Sequence, residues 1–399
     1  MQAEINIGTA GHVDHGKTTL IYALTKKWAD EHSEELKRGI TIKLGYANMV
    51  IRRCPKGKEF TTEKKCLKHG VETEPLRRVS FIDVPGHETL MAIMMSGAAI
   101  IDGVLFVIAA NEKCPQPQTR EHLTALGIAG IKDIIIVQNK IDLVDEKRAM
   151  ENYEEIKEFV KGTIAENAPI IPVSAQHGIN IDVLLEVMYE KFNPPERDLK
   201  SPPLMLVARS FDVNKPGCDP KKLVGGVLGG VLKRGILKVG DEIVILPGIR
   251  KGDKWEPLKT KILNLNAGFG PMKEARPGGN IGIETSLDPS LTKGDALAGS
   301  VVVREGEELP VWDKLDLEVH LMERVVGTKE ELKNEPLRMN EQLMLNVWTA
   351  KTLGMVTSIR GNEATLSLRI PVCVSKGEKV AISRMIGGRW RLVGWGVVQ

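Results

Sequence analysis

The sequence is short of aromatic residues and cysteines, and it has no long apolar run. Phe, Trp and Tyr make up 4% of the 399 residues, whereas the 39 glycines suit a chain with many tight turns. The five cysteines are an odd number, and no basic-then-apolar leader precedes the first predicted strand, so we expect reduced thiols and a cytoplasmic protein. The most apolar stretch, 98–110, is interrupted by Asp102 and is too short to span a bilayer, which predicts no membrane partner.

The charge of the chain bears on its possible partners, and its length bears on the number of domains. The chain carries 55 Lys and Arg against 52 Asp and Glu, a net charge of +3. The surplus of basic residues lies in the C-terminal half, which leaves a polyanionic partner and an ordinary solvated surface as open alternatives. With 42% hydrophobic residues, a chain of this length can bury a sizeable core, in roughly two to four domains.

Strand-like and helical patterns alternate over about the first 200 residues. Continuous Ile and Val runs are typical of strands that are covered on both faces, so the alternation predicts an α/β fold with a doubly wound, mostly parallel sheet. The predicted strands are Ile5–Ile7, Val79–Ile82, Gly103–Ile108, Ile134–Val137 and Ile170–Val173. The clearest predicted helices are Arg148–Ile164 and Asp182–Phe192.

A proline-punctuated segment, 193–203, marks the point where the sequence pattern changes. Beyond it, short strand-like runs are separated by Gly, Pro and Asp turns with few helices, which is typical of β-barrels. A further break falls at 305–310. We therefore predict a P-loop nucleotide-binding domain over residues 1–202 and two β-barrel domains over residues 203–308 and 309–399.

A phosphate-binding loop is predicted between the first strand and the first helix. Gly11 and Gly16–Thr18 match the pattern G-x-x-x-x-G-K-[ST], and an apolar stripe from Leu20 to Trp28 continues the helix. In this motif backbone N–H groups surround the anion, Lys17 reaches the terminal phosphates, and the Thr18 hydroxyl holds a Mg²⁺ ion. The residues predicted to bind the phosphates are Asp14, His15, Gly16, Lys17, Thr18 and Thr19.

Two further elements fit the Mg²⁺ ion and the γ-phosphate of a nucleoside triphosphate. Thr41 lies in the stretch 38–42, where its hydroxyl can complete the Mg²⁺ shell once the γ-phosphate is present. Asp83 ends a predicted strand and can reach the metal through a water, and the Gly86 N–H can meet the γ-phosphate. The predicted Mg²⁺ ligands are therefore Thr18, Thr41 and Asp83.

Two more elements predict that the base is guanine. The carboxylate of Asp142 can accept hydrogen bonds from guanine N1–H and N2–H₂, which adenine cannot match, so this element selects GTP over ATP. Both elements follow predicted strands, and doubly wound sheets bind their ligands at that edge. The residues predicted to contact the base or its surroundings are Asn139, Lys140, Asp142, Ser174, Ala175 and Gln176.

Taken in order, these motifs resemble the translational GTPases that carry aminoacyl-tRNA. The resemblance rests on Gly11–Leu20, Arg38–Ile42, Asp83–Glu88 and Pro117–His122. Within this family the sequence is most similar to the gamma subunits of archaeal and eukaryotic translation initiation factor 2, and its short N-terminus is similar to the archaeal form. That finer resemblance rests on Ala109–Glu112, Arg209–Gly217, Val224–Gly230 and Leu317–Gly327, and it runs from residue 4 to 399.

The resemblance implies a function, partners and further site residues. It implies a GTP-switched carrier of initiator methionyl-tRNA to the small ribosomal subunit, the core of a heterotrimer with alpha and beta subunits, which hydrolyses GTP to GDP when a GTPase-activating partner acts. His87 matches the family's histidine that orients the attacking water, and Val13 and Ile40 match the apolar gate around it. Asp14 and the Gly39 carbonyl match contacts to a second Mg²⁺.

Two other functions fit the same motifs. One is an elongation-type factor, including the selenocysteine-specific one, and the other is the GTPase subunit of an ATP sulfurylase. The stretches 209–217 and 317–327 favour initiation, because they resemble the initiation factor more than the other proteins.

One region departs from the family pattern. Archaeal members often carry a four-cysteine zinc knuckle after the stretch 38–42, whereas this sequence keeps only Cys54, Cys66 and His69 and has Gly57 at the fourth place. A closed structural zinc site needs four ligands. A zinc ion held with a donor from outside the pattern and a metal-free loop are both open alternatives, and we expect well under one zinc per chain.

Overall fold

The computed structural model describes residues 1–28, 44–85, 91–215, 217–219, 223–323, 325 and 332–399. These residues divide into two compact units. The first unit lies within Ala3–Pro195, and the second comprises Glu196–Val325 and Leu332–Gln399 together with Met1–Gln2.

The first unit is built on one seven-stranded sheet. Its strands are β1 (Ile5–Ala10), β2 (Gly45–Arg53), β3 (Phe60–Thr61), β4 (Glu74–Asp83), β5 (Gly103–Ala109), β6 (Asp133–Asn139) and β7 (Ile170–Pro172). Their order in the sheet is β3-β2-β4-β1-β5-β6-β7. The strands from β4 to β7 in this order are parallel, whereas β2 is antiparallel to β4 and the edge strand β3 is antiparallel to β2. The predicted doubly wound, mostly parallel sheet is confirmed.

The helices of the first unit follow its strands. They are α1 (Lys17–Thr25), α2 (Met91–Ala98), α3 (Pro117–Ala129), α4 (Glu146–Val160) and α5 (Ile181–Lys191). Helix α4 begins earlier than predicted because Asp145 caps it, with its side chain accepting a hydrogen bond from the Arg148 N–H. It also ends at Val160, before the predicted Ile164. No helix in these described ranges is both long and apolar enough to cross a membrane.

The predicted apolar stripe of α1 is wrong at its last member. The helix ends at Thr25 because Lys26 adopts a left-handed conformation, with a φ of 58°. Trp28 therefore lies beyond the helix, where it is 54% exposed and stacks on Tyr22 with ring centroids 4.4 Å apart. The other apolar residues of the stripe, Leu20, Ile21 and Leu24, are fully buried in the core.

Burial along the central strands explains how the sheet positions its carboxyl-terminal edge. Every residue of β1 and β5 is buried, as expected for parallel strands that are covered on both faces. The register pairs Ala10 of β1 with Phe106 of β5 and Ala109 of β5 with Asn139 of β6. The ends of these strands, with Asp83 at the end of β4, therefore lie along one edge of a rigid sheet.

The second unit contains two six-stranded β-barrels. The strands of the first are β8 (Leu204–Phe211), β9 (Val227–Arg234), β11 (Glu242–Lys251), β12 (Lys254–Asn266), β15 (Ile281–Thr285) and β16 (Val301–Arg304). Pairing of β11 with β12 closes the ring β11-β16-β8-β9-β15-β12. The short strands β10 (Leu237–Lys238), β13 (Pro271–Met272) and β14 (Glu274–Ala275) lie beside it.

The second barrel is formed by the C-terminal strands. These are β17 (Val311–Leu321), β18 (Gln342–Val347), β19 (Ala350–Arg360), β20 (Glu363–Cys373), β21 (Lys379–Ile386) and β22 (Arg389–Val398). They close in the order β17-β20-β19-β18-β21-β22. The prediction of two barrels after a P-loop domain is confirmed.

Candidate functional site

The loop between β1 and α1 owes its shape to two glycines. Gly11 has a φ of 134°, and a Cβ atom there would lie 2.2 Å from the carbonyl oxygen of Val107. Gly16 has a φ of 85°, and its Cβ would lie 2.5 Å from Nδ2 of Asn139. Helix α1 begins directly after Gly16 and has no side-chain cap. The positive end of its dipole therefore faces this loop, which favours an anion there.

Lys17 is held close to this loop. Its side chain is buried, and Nζ donates hydrogen bonds to the carbonyl oxygens of Gly11 at 3.1 Å and His12 at 2.8 Å. A buried ammonium group beside uncapped helix amides adds a full positive charge to a site that already favours anions. The ammonium group of Lys17, the predicted phosphate ligand, therefore lies against the backbone of the loop.

Two of the predicted Mg²⁺ ligands are in direct contact. The Thr18 hydroxyl donates to Oδ2 of Asp83 at 2.6 Å, and the Thr9 hydroxyl donates to Oδ1 at 2.6 Å. Asp83 is fully buried at the end of β4. Hydroxyl and carboxylate oxygens are the donors that Mg²⁺ prefers, so this pair fits the ion. Thr9, which orients the carboxylate, was not singled out by the sequence.

Asn139 connects the phosphate loop to the predicted base-binding residues. Its Nδ2 donates to the carbonyl oxygen of His15 at 2.9 Å, and its Oδ1 accepts from the Ala175 N–H at 3.1 Å. Asn139 itself is 2% exposed. Three segments that are far apart in the sequence are therefore fixed to one another by a single buried amide.

The residues predicted to contact the base lie after β6 and β7. Asp142 lies in a short 3₁₀ turn, Ile141–Leu143, and its side chain is 19% exposed. His177, which the sequence did not single out, has its Nε2 3.7 Å from Oδ2 of Asp142. Its backbone N–H donates to the hydroxyl of buried Ser174 at 3.3 Å, whereas Gln176 is exposed.

Two buried histidines hold the loop through hydrogen bonds to the backbone. Nδ1 of His15 donates to the carbonyl oxygen of Val107 at 3.0 Å, whereas Nδ1 of His122 accepts from the Gly11 N–H at 3.0 Å. Burial lowers the pKa of each imidazole to about 3, and for His122 the charge of Lys17 lowers it further. Both rings are therefore neutral at ordinary pH. No structural role for His122 was predicted, because its hydrogen-bond partner Gly11 is 111 residues away in the sequence.

The structure describes only some of the remaining predicted site residues. Asp14 is exposed and has a φ of 62°, and Lys140 has a φ of 63°. Thr19 is half-buried in the first turn of α1. Four other predicted residues lie outside the described part of the chain: Gly39, Thr41, Gly86 and His87. Ile40 of the predicted gate lies there as well.

Cys54 and Cys66, in the region that departs from the family pattern, form a second cluster with His69. Nδ1 of His69 lies 3.4 Å from Sγ of Cys54 and 3.5 Å from Sγ of Cys66. The Gly57 N–H donates to the Cys54 sulfur, and this lowers the pKa of the thiol. Glu59 joins the three predicted donors, and the four donor atoms lie within 4.8 Å of one another.

Three family models match consecutive parts of the chain. The elongation factor Tu GTP binding domain matches residues 2–194, and elongation factor Tu domain 2 matches residues 225–303. The C-terminal domain of initiation factor eIF2 gamma matches residues 313–398. The first match covers the nucleotide site described above, and the third distinguishes initiation factors by their last barrel.

Full-length relatives decide between these families. The chain is 59% identical to translation initiation factor 2 subunit gamma of Pyrococcus abyssi over 100% of this chain and 98% of that protein. It is 60% identical to the protein of the same name from Methanocaldococcus jannaschii, with the same coverage. The chain belongs to the translation initiation factor 2 gamma family. As a member of this family it is a translational GTPase of initiation, and the family implies guanine nucleotide binding, usually with Mg²⁺.

Solved structures agree with the fold of this family member. The bacterial selenocysteine-specific elongation factor EF-Sec aligns with a TM-score of 0.75 and 26% identity, over 100% of this chain and 58% of that chain. Translation elongation factor SelB from Methanococcus maripaludis, in complex with the GTP analogue GppNHp, aligns with a TM-score of 0.73 over 79% of that chain. At 24% identity, the second likeness shows the fold alone.

Proposed function

We propose that this chain is a GTP-switched carrier that brings initiator methionyl-tRNA to the small ribosomal subunit. In this proposal it is the core of a cytoplasmic heterotrimer with alpha and beta subunits, and GTP hydrolysis triggers release of the tRNA. The observation that carries the proposal is the 59–60% identity to gamma subunits of initiation factor 2 along the whole chain. The proposed domain limits remain 1–202, 203–308 and 309–399.

The residues of the site divide the work of binding GTP. Lys17 and the first N–H groups of α1 bind the phosphates, and Asp142 accepts hydrogen bonds from the guanine base. Thr18 and Asp83 hold Mg²⁺, which neutralises charge on the phosphates, with Thr41 as its further ligand. Asp14 and the Gly39 carbonyl are proposed contacts for a second Mg²⁺.

Hydrolysis is assigned to His87, which we propose positions the attacking water, while Gly86 meets the γ-phosphate. Because positioning acts in the transition state, His87→Ala is expected to leave GTP affinity within a few-fold of wild type and to slow hydrolysis severely. The measurement is single-turnover GTP hydrolysis with a stimulating partner present, beside a nucleotide titration. Equal rates for both proteins would remove His87 from the mechanism, and a loss of binding would make its role structural.

The carrier function is tested by tRNA binding. Filter binding compares initiator and elongator methionyl-tRNA, each with GTP and with GDP, on the full chain together with its co-purifying subunits. The proposal predicts that the initiator tRNA with GTP gives the tightest complex. Equal affinity for both tRNAs would contradict the initiation role, and equal affinity with GTP and GDP would contradict the switch.

A second candidate is an elongation-type carrier, which the likeness to the selenocysteine-specific factor EF-Sec favours. Selective binding of an elongator or selenocysteinyl-tRNA in the same assay would support it. The GTPase subunit of an ATP sulfurylase is the third alternative. It predicts no tRNA binding, and instead GTP hydrolysis that is stimulated by a sulfurylase subunit.

A further inference from the structure

The loop over residues 54–69, which departs from the family's zinc-knuckle pattern, contains a further metal donor that no spacing motif predicts. Cys54 follows β2, and Cys66 and His69 lie in the turns before β4, so the three donors converge from both ends of a hairpin extension. The fourth donor is Glu59, whose Oε2 lies 3.7 Å from Nδ1 of His69. We propose that Cys54, Cys66, His69 and Glu59 form a closed, tetrahedral zinc site.

The distances between donor atoms fit a zinc ion at their centre. With Zn–S bonds of about 2.3 Å and Zn–N or Zn–O bonds of about 2.0 Å, tetrahedral geometry places neighbouring donors roughly 3.3–3.8 Å apart. The two sulfur–nitrogen distances, 3.4 and 3.5 Å, match those around a tetrahedral zinc ion. The nitrogen–oxygen distance of 3.7 Å is longer than the roughly 3.3 Å expected of two such ligands, so zinc binding requires a small movement of the Glu59 carboxylate toward His69.

The glycine at the fourth motif position explains why Glu59 can enter. A Cβ atom on Gly57 would lie 2.1 Å from Oε2 of Glu59 and 2.4 Å from Cε1 of His69. Any larger residue at position 57 would thus occupy the space of the carboxylate. Gly57 therefore leaves free the space that the Glu59 carboxylate occupies.

The two oxygens of Glu59 face different surroundings. Oε1 accepts a hydrogen bond from Nζ of Lys68 at 3.1 Å, which orients the carboxylate. Oε2 is buried, and no hydrogen bond from the described residues reaches it. A buried carboxylate oxygen without a donor is costly unless a cation binds it. This oxygen is the one that faces the sulfur atoms and the imidazole.

A site with four protein ligands leaves no position for a substrate, so its zinc is structural. It connects the end of β2 to the segment before β4 and thereby closes a loop that has few apolar residues to pack. This assignment replaces the expectation of substoichiometric zinc, which followed from counting only three donors.

The first test is metal content. The full chain is stripped with a chelator under reducing conditions, supplied with Zn²⁺, freed of excess metal and analysed by mass spectrometry of elements. The proposal predicts about one zinc per chain, and Cys66→Ser should lose it. A wild-type chain that retains less than about a fifth of an equivalent after this treatment would overturn the site.

The second test isolates Glu59. Co²⁺ replaces Zn²⁺ as the probe, because its visible absorption reports tetrahedral geometry and thiolate ligation. Glu59→Gln is expected to weaken Co²⁺ binding by about 100-fold or more, since even changes beside a ligand cost 10- to 100-fold. Glu63→Gln, an exposed acid in the same loop, is the control and should bind as wild type does.

A further variant keeps the carboxylate but moves it. Gly57→Ala should displace Glu59 and weaken Co²⁺ binding as Glu59→Gln does, because the added Cβ takes the place of Oε2. GDP binding by every variant shows that the chain is folded. Unchanged Co²⁺ affinity and spectrum in both Glu59→Gln and Gly57→Ala would exclude Glu59 as a ligand.

Discussion

Gly16 shows how a single residue keeps the nucleotide site open. Its φ of 85° and the 2.5 Å approach of Asn139 Nδ2 to a Cβ leave no room for any other side chain. The position is both strained for L-residues and sterically closed, and it lies directly before the N–H groups that we propose bind phosphate.

Gly16→Ala is therefore expected to lower GDP affinity by at least about tenfold, because Asn139 must move and the loop with it. Gly130→Ala is a matched control, since Gly130 has a φ of 78° but open space around its Cβ. Both variants carry a backbone cost of about 1–2 kcal/mol. Isothermal titration with GDP distinguishes them, and an equal loss in both would contradict the steric argument.

Residue types alone predicted much of the site but not its supports. Lys17, Thr18 and Asp83 were predicted because their chemistry demands fixed spacing around phosphate and Mg²⁺. Thr9 and Glu59 were missed, because each acts through contacts that only the folded chain creates. A threonine in a buried strand and a glutamate in a lysine-rich loop carry no signal of their own.

At the scale of elements, helix α3 stabilises the phosphate loop through His122. Its imidazole is fully buried and accepts from the Gly11 N–H, so a proton on Nδ1 would break this bond. His15 makes the complementary contact from the loop to β5. The loop is thus fixed to a helix and to a strand by two neutral rings.

These rings make the folded state sensitive to acid. The unfolded chain takes up their protons near pH 6.5, whereas the folded chain does so only near pH 3. Stability is therefore lost as the pH falls through this window, by roughly 1.4 kcal/mol per pH unit for each histidine. Nitrogen NMR of the histidine side chains should show that the imidazoles of His15 and His122 stay neutral at pH 5.

His122→Asn, which keeps an acceptor but cannot titrate, assigns one of the two signals and should make the loss of stability with falling pH less steep. If all histidine signals titrate near pH 6.5 in the folded protein, the burial argument is wrong. The titration is done on the nucleotide-free chain, because bound phosphates would raise the pKa of the imidazoles that contact the loop.

Strands buried on both faces were the easiest elements to predict. Runs such as Ile134–Val137 leave no alternative to a central strand, and β5 and β6 lie where the sequence indicated. Strand β2, which lies between β3 and β4, was missed because the predictions relied on continuous apolar runs, whereas the burial of β2 alternates between buried and half-buried residues. The two-residue strand β3 is set by its pairing with β2, which no local pattern encodes.

At the scale of the whole molecule, one GTPase domain is followed along the chain by two β-barrels. The three family matches follow one another along the chain, and the last one is specific to initiation factors. The central claim is that the nucleotide in the site bounded by Lys17, Asp83 and Asp142 determines whether initiator tRNA binds.

Asp142→Asn is expected to change which nucleotide the site binds while leaving the rest of the chain unchanged. A carboxamide faces the N1–H and N2–H₂ groups of guanine with a donor, and such a mismatch can cost roughly 10⁴-fold in affinity. Xanthine has an oxygen in place of the N2 amine, so it can accept from the amide. The variant is expected to lose GTP and to gain relative affinity for xanthosine triphosphate. Asp253→Asn, at a fully exposed position in the second unit, is the control.

The decisive measurement is filter binding of initiator methionyl-tRNA to wild type and Asp142→Asn, each with GTP and with xanthosine triphosphate. The account predicts that wild type and Asp253→Asn bind the tRNA with GTP, and that Asp142→Asn binds it with xanthosine triphosphate instead. A variant that still binds the tRNA with GTP as wild type does would contradict the account. So would one that binds xanthosine triphosphate without gaining tRNA.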